Sequence, residues 1–169
     1  MLAILLLIFG VATRFITHEP NFTPVTAIAL FGGVYLARKY AIILPLALMM
    51  LSDLFIGTHD TMLFTWGSFI LIAAIGLWVR NHKTPATIIG SSTLAAILFF
   101  IITNFGVWLA GSLYPPTAEG LSSCFIAAIP FFRNTLLSSL GYSLVLFGSY
   151  EFIARRVKNT RFARALLTV

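Results

Sequence analysis

"TIIGSSTLAAILFFIITNFGVWLA", residues 87–110, runs for 24 positions without a charge. As a helix rising ~1.5 Å per residue it covers ~36 Å, more than the ~30 Å of bilayer hydrocarbon. Working outward from it, comparable apolar runs fill the chain. The segments fall at about 1–16, 24–38, 41–57, 63–80, 87–110 and 135–155, and each spanning helix needs roughly 17–25 residues. The first two are short and must thin the bilayer, sit inside the bundle, or borrow flanking residues. The 169 residues are 59% hydrophobic and 9% charged, against about 25% charged in an ordinary soluble domain. This reads as an all-α integral membrane protein, one compact bundle of six transmembrane helices over 1–169 with no second domain.

The net charge of +6 does not point to nucleic acid. The bases cluster between apolar runs: Arg38 and Lys39, Arg80 and Lys83, then Arg155 at the end of the last run and Arg156, Lys158, Arg161 and Arg164 of a basic tail over 156–169. Such clusters mark cytoplasmic loops and place both termini in the cytoplasm of a cell with a cytoplasmic (inner) membrane. The opening run lacks a basic stretch before it and a small-residue cleavage site after it, so it is expected to be a first span rather than a signal peptide. The single cysteine, Cys124, excludes an internal disulfide.

Three connections then face outside, at 14–23, 57–62 and 111–134. They differ from the short, basic inner ones. His18, Glu19, Asn21, Phe22, His59, Asp60, Tyr114, Glu119 and Cys124 lie there, and Asp53 ends the third span nearby. In "RFITHEPNFTPV", residues 14–25, Pro20 and Pro24 forbid a continuous helix and make a stiff loop. In the third connection, "GSLYPPTAEGLSSC" is rich in turn residues. The following "FIAAIPFFRNT", broken by Pro130, is expected to form a short helix at the outer mouth.

Each candidate residue has a plain reading beside a functional one. Asp53 in an apolar run marks a functional position or an interfacial carboxylate, and Arg133 beside Asn134 is its expected partner. His18–Glu19 and His59–Asp60 form two His-acid pairs that could ligate a divalent metal, or are polar loop tips. Trp66 and Trp108 suit an interfacial belt, whereas the Asn104 amide next to Phe105 needs a partner within the span. Cys124 is a small buried hydrophobe or an axial ligand. The "NFT" at 21–23 matches a glycosylation acceptor, a common chance match. Ala29, Gly33 and Ala37 put small residues four apart, a stripe for helix packing or for docking another membrane subunit. No nucleotide-binding loop, hydrolase elbow or zinc-protease motif occurs, so the chain is expected not to be an enzyme and to carry no cofactor.

Two long blocks carry a resemblance: "HEPNFTPVTAIALFGGVYLARKYAIILPLALMMLSDLFIG" and "ITNFGVWLAGSLYPPTAEGLSSCFIAAIPFFRNTLLSSLGYSLVLFG". They resemble an uncharacterised bacterial family grouped with transport proteins, itself similar to the substrate-binding S component of energy-coupling-factor (ECF) vitamin transporters. The resemblance implies six spans and an outward pocket built by the loops after spans one, three and five. It further implies capture of a vitamin-like molecule or metal ion, and docking on a coupling subunit served by two ATPases. S components that share a coupling module carry an A-x-x-x-A motif in the first helix. Here that helix offers Ala3, Gly10 and Ala12 without that spacing, so the motif is missing.

The leading expectation is uptake of a small, partly aromatic or amphipathic molecule, or of a metal ion. The binding set is His18, Glu19, Asn21, Phe22, Asp53, His59, Asn104, Trp108, Tyr114, Arg133 and Asn134. Two other classes stand beside it. One is a membrane enzyme using His18, Asp53 or His59, which predicts an acid-base pair within ~3 Å in a cleft. The other is an assembly subunit, which predicts a flat small-residue face and no cavity.

Overall fold

The computed structural model describes residues 2–16, 19–111 and 113–158. The described residues form seven helices and no strand: α1 (Leu2–Ile16), α2 (Val25–Tyr35), α3 (Arg38–Ile56), α4 (Met62–Val79), α5 (Pro85–Ala110), α6 (Ala118–Ala127) and α7 (Ile129–Val157). Four of them, α3, α4, α5 and α7, are long and apolar enough to cross a membrane.

The segments expected at 1–16 and 24–38 become shorter helices of 15 and 11 residues. At ~1.5 Å per residue, α2 covers only ~17 Å. It is apolar all round for a different reason than lipid contact: all of residues 25–34 are buried inside the bundle. It packs on α3, α4, α5 and α7 and forms the axis of the molecule. The contact with α4 is glycine on glycine. A Cβ on Gly33 would lie 2.4 Å from the Ala73 carbonyl oxygen and 2.6 Å from Gly76 Cα. Gly33 and the fully buried Ala29 therefore serve packing within the chain. Ala37 falls beyond α2, exposed at the N-cap of α3.

Local chemistry sets the other boundaries. The Thr84 hydroxyl accepts from Thr87 N–H at 3.0 Å, and Pro85 occupies the first turn of α5, where no N–H is needed. Gly111, at φ 72°, ends α5 in the left-handed conformation that suits glycine. The stretch at 125–135 does not form its own helix. Thr117 caps α6 seven residues earlier, and Pro130 begins α7 instead of interrupting a helix.

The chain alternates direction so that the end of α1, the start of α2, the end of α3, the start of α4 and the end of α5 share one end of the bundle. α6 and the start of α7 join them. Arg38, Lys39, Arg80, Lys83, Arg155, Arg156 and Lys158 lie at the opposite end. There the Arg80 guanidinium donates to Gly33 O at 2.7 Å and to Leu36 O, capping the C-terminus of α2.

Candidate functional site

A cavity of about 410 Å³ opens at the first of these ends. Its size lies within the ~300–1,000 Å³ of small-molecule pockets. The end of α1 and the 19–25 loop supply Arg14, Glu19, Asn21 and Thr23. The α3 end and the 57–61 connection add Met49, Ile56, His59 and Thr61. Thr65 and Phe69 of α4 face Phe99, Thr103, Asn104 and Val107 of α5. The wall is therefore polar near the mouth and aromatic toward the core, where Phe69 and Phe99 lie 5.2 Å apart.

The loop from 19 to 24 is rigid for reasons visible in its residues. Asn21 adopts φ 59°, a left-handed conformation that asparagine tolerates better than other side chains. The Asn134 amide donates to Pro20 O at 3.0 Å, and the Ser138 hydroxyl to Asn21 O at 3.4 Å. The start of α7 thus pins the loop from outside the cavity. Phe22 turns away from the cavity onto Tyr142, with ring centroids 6.0 Å apart.

Behind the polar wall lies a buried ion pair. Arg14 Nη1 sits 2.9 Å from Asp53 Oδ1, with side chains 17% and 1% exposed. The expected partner, Arg133, is exposed and takes no part. Arg14 wins because α1 packs along α3, which brings its last turn onto Met49, Ser52 and Asp53. The same Nη1 donates to Ser52 Oγ at 2.6 Å and approaches Met49 Sδ at 3.0 Å. Trp66 of α4 donates its indole N–H to Asp53 Oδ2 at 2.9 Å, a more specific place than an interfacial belt. Asp53 Oδ1 is held by charge proximity alone, since it receives no aligned hydrogen bond. A carboxylate taken out of water needs such partners, because an isolated buried charge costs several kcal/mol.

The expected binding set thus divides. Glu19, Asn21, His59 and Asn104 line the cavity, and Asp53 anchors its Arg14 wall. Asn134 positions the loop. Trp108 instead ties the 111–117 turn by donating to Pro115 O at 3.0 Å. Tyr114 belongs to that turn, and neither residue reaches the cavity. His18 lies outside the described residues. Among the described residues the connection at 111–134 contributes no lining residue, so two of the three expected loops are seen at the cavity. Cys124 is buried, with its thiol 3.4 Å from Asn104 O; burial pushes the thiol pKa up. Among the described residues no three His, Cys, Asp or Glu side chains converge as a metal site would require.

Sequence reasoning missed Arg14 as a site residue, together with Thr23, Thr61, Thr65 and Thr103. Their signals were available. Arg14 is one of two bases at the polar end, the other being Arg133, and lies at a depth matching Asp53, while Thr65 and Thr103 interrupt otherwise apolar runs.

No curated protein and no solved structure matches the chain. A family model described as a family of unknown function matches residues 1–162, and the chain belongs to that family, DUF6580.

Proposed function

We propose that the protein is a substrate-capture component that takes up a small vitamin-like molecule through this cavity. On this reading it is a six-span bundle of the ECF S-component type, with α1 and α2 embedded beside the four long helices. The observation that carries the reading is the cavity itself. It is open at one end, walled by polar groups from three helices and two connections, and floored by aromatic rings. Ligand sites commonly combine an apolar floor with a few placed polar groups. The basic residues gather at the opposite end, so the positive-inside rule turns the cavity outward and both termini toward the cytoplasm of a bacterial inner membrane. Uptake against a gradient then needs energy from elsewhere, and a coupling subunit with two ATPases is the proposed partner.

The test is purification in mild detergent followed by mass spectrometry of co-purified small molecules. Asn104→Leu, which fills the cavity wall without touching the ion pair, is the control. A compound enriched in the wild type and lost in Asn104→Leu supports capture. Equal small-molecule content in the two preparations sinks it.

A further inference from the structure

The polar groups of the cavity wall are not evenly divided between donors and acceptors. One N–H of the Asn104 amide is committed to Phe100 O at 2.7 Å, which leaves its carbonyl oxygen to accept and its second N–H to donate. The Thr103 hydroxyl donates to Phe99 O at 2.8 Å, and the Thr65 hydroxyl to Thr61 O at 3.1 Å. Both side chains can then only accept from an occupant. The Glu19 carboxylate at the mouth is also an acceptor. Arg14 is the cationic donor of this wall, beside the uncharged Asn21, Thr23 and Thr61 and the His59 ring. Arg14 makes all its contacts among the described residues through Nη1, to Asp53, Ser52 and Met49. The Nε–Nη2 edge of its guanidinium is left without a partner among those residues, on a side chain that lines the cavity.

That edge has the geometry of a fork. Two parallel N–H groups match the two oxygens of a carboxylate, and arginine makes such bidentate contacts better than lysine. Asp53 holds Nη1 from behind, which fixes the guanidinium plane and cancels much of its charge. An unpartnered edge of this kind recognises shape and hydrogen bonding more than net charge. In the same cavity wall, Asn104, Thr103 and Glu19 present acceptors suited to an ammonium or amine. Phe69 and Phe99 supply an apolar floor between the two.

We infer that the cavity selects an amino-carboxylate with an apolar or aromatic body. Its carboxylate sits on the Nε–Nη2 edge of Arg14 and its nitrogen donors face Asn104, Thr103 and Glu19. This names the substrate class and rests on the capture reading above.

Matched probes test it: L-phenylalanine, its amide L-phenylalaninamide, and 3-phenylpropionate, each offered to the full chain in detergent and read by equilibrium dialysis. The amide lacks the carboxylate, and the phenylpropionate lacks the nitrogen. The amino acid is expected to be retained best, with each truncation weakening retention about tenfold or more, the loss of one charge-assisted contact. Arg14→Lys keeps a positive charge beside Asp53 but removes the fork. It should cut retention of both acids about tenfold and leave the amide unchanged, with an elution profile like that of the wild type. Asn104→Leu should reduce the amino acid and the amide together. Retention of the amide equal to that of the acid, or an Arg14→Lys protein that keeps both acids, overturns the assignment. Failure to retain any of the three overturns it as well. Capture itself would then stand or fall on the co-purified compounds alone, where an enriched molecule without a carboxylate would refute the class and preserve the reading.

Discussion

The two ends of the bundle solve the same problem in opposite ways. Each places charged side chains against apolar helices. At the basic end the groups close on one another. Lys83 Nζ donates to Glu151 Oε1 at 2.6 Å, Tyr35 donates to the same oxygen, and the Lys83 ammonium stands 4.8 Å from the Tyr35 ring centroid. Arg80 is consumed in capping α2. At the other end Arg14 and Asp53 also pair, yet the pair backs onto about 410 Å³ of open volume, and one edge of the arginine has no partner among the described residues. A charge network that leaves donors facing a void is what a binding site requires. A network that satisfies itself is what a helix terminus requires.

The sharpest way to break the comparison is to remove Arg14. Arg14→Ala leaves Asp53 buried with the Trp66 indole as its one polar side-chain partner among the described residues. Deleting one member of a buried pair costs about 3–5 kcal/mol. A large fall in the detergent unfolding temperature is expected, together with loss of any captured compound. The double variant Arg14→Met/Asp53→Leu separates these effects. Replacing both charges with apolar side chains is often neutral, so much of the unfolding temperature should return while binding does not. If binding returned too, the pair would be structural and the contrast between the ends would collapse.

Both ends hang on α2, and Gly33→Val tests that axis. The new Cβ would meet the Ala73 carbonyl and Gly76 Cα, backbone atoms that cannot rotate aside. A loss of about 3 kcal/mol, at the upper end of overpacking costs, is expected as a lowered unfolding temperature. Arg80→Ala should cost less, about 1–2 kcal/mol, because it strips the α2 terminus of its cap but leaves the helix packed. Its effect should be on stability alone, with retention by the cavity unchanged.

Much of this was legible in the chain. The uncharged run at 87–110 announced a membrane-crossing helix, and the residues of "RFITHEPNFTPV" and "THD" announced a polar end. Glu19, Asn21, His59 and Asn104 were found because polarity in an apolar chain is conspicuous. Three things were hidden. Apolar α2 looks like a lipid-facing span, since hydropathy cannot tell burial in protein from burial in lipid. Arg14 looked like a topology signal, because pairing across helices depends on the packing of α1 against α3, which periodicity does not encode. The 111–134 connection looked like a pocket wall because it is long and rich in turn residues. Its hydrogen bonds run to α5 instead, from Trp108 to Pro115 O and from the Cys124 thiol to Asn104 O.

Two smaller effects sharpen the contrast further. Glu151→Gln touches a pair whose side chains are 38% and 35% exposed, so solvent screening holds its worth to about 1 kcal/mol or less. A barely shifted unfolding temperature is expected, against the large fall for Arg14→Ala. Equal falls would mean that the basic end is buried as deeply as the cavity end.

Cys124 reports on the wall that the cavity does not use. Its thiol is buried against the α5 backbone, and desolvation raises its pKa above that of a free thiol. The thiolate is the reactive form, so at neutral pH a maleimide should react with Cys124 more than about tenfold slower than with free cysteine. The rate should climb as pH rises into the alkaline range, later than for the free amino acid, because a raised pKa delays formation of the thiolate. Fast labelling at neutral pH would show that α6 opens away from α5. The 111–134 connection would then be a moving cover over the site, and the cavity would have the third wall that the fixed structure withholds from it.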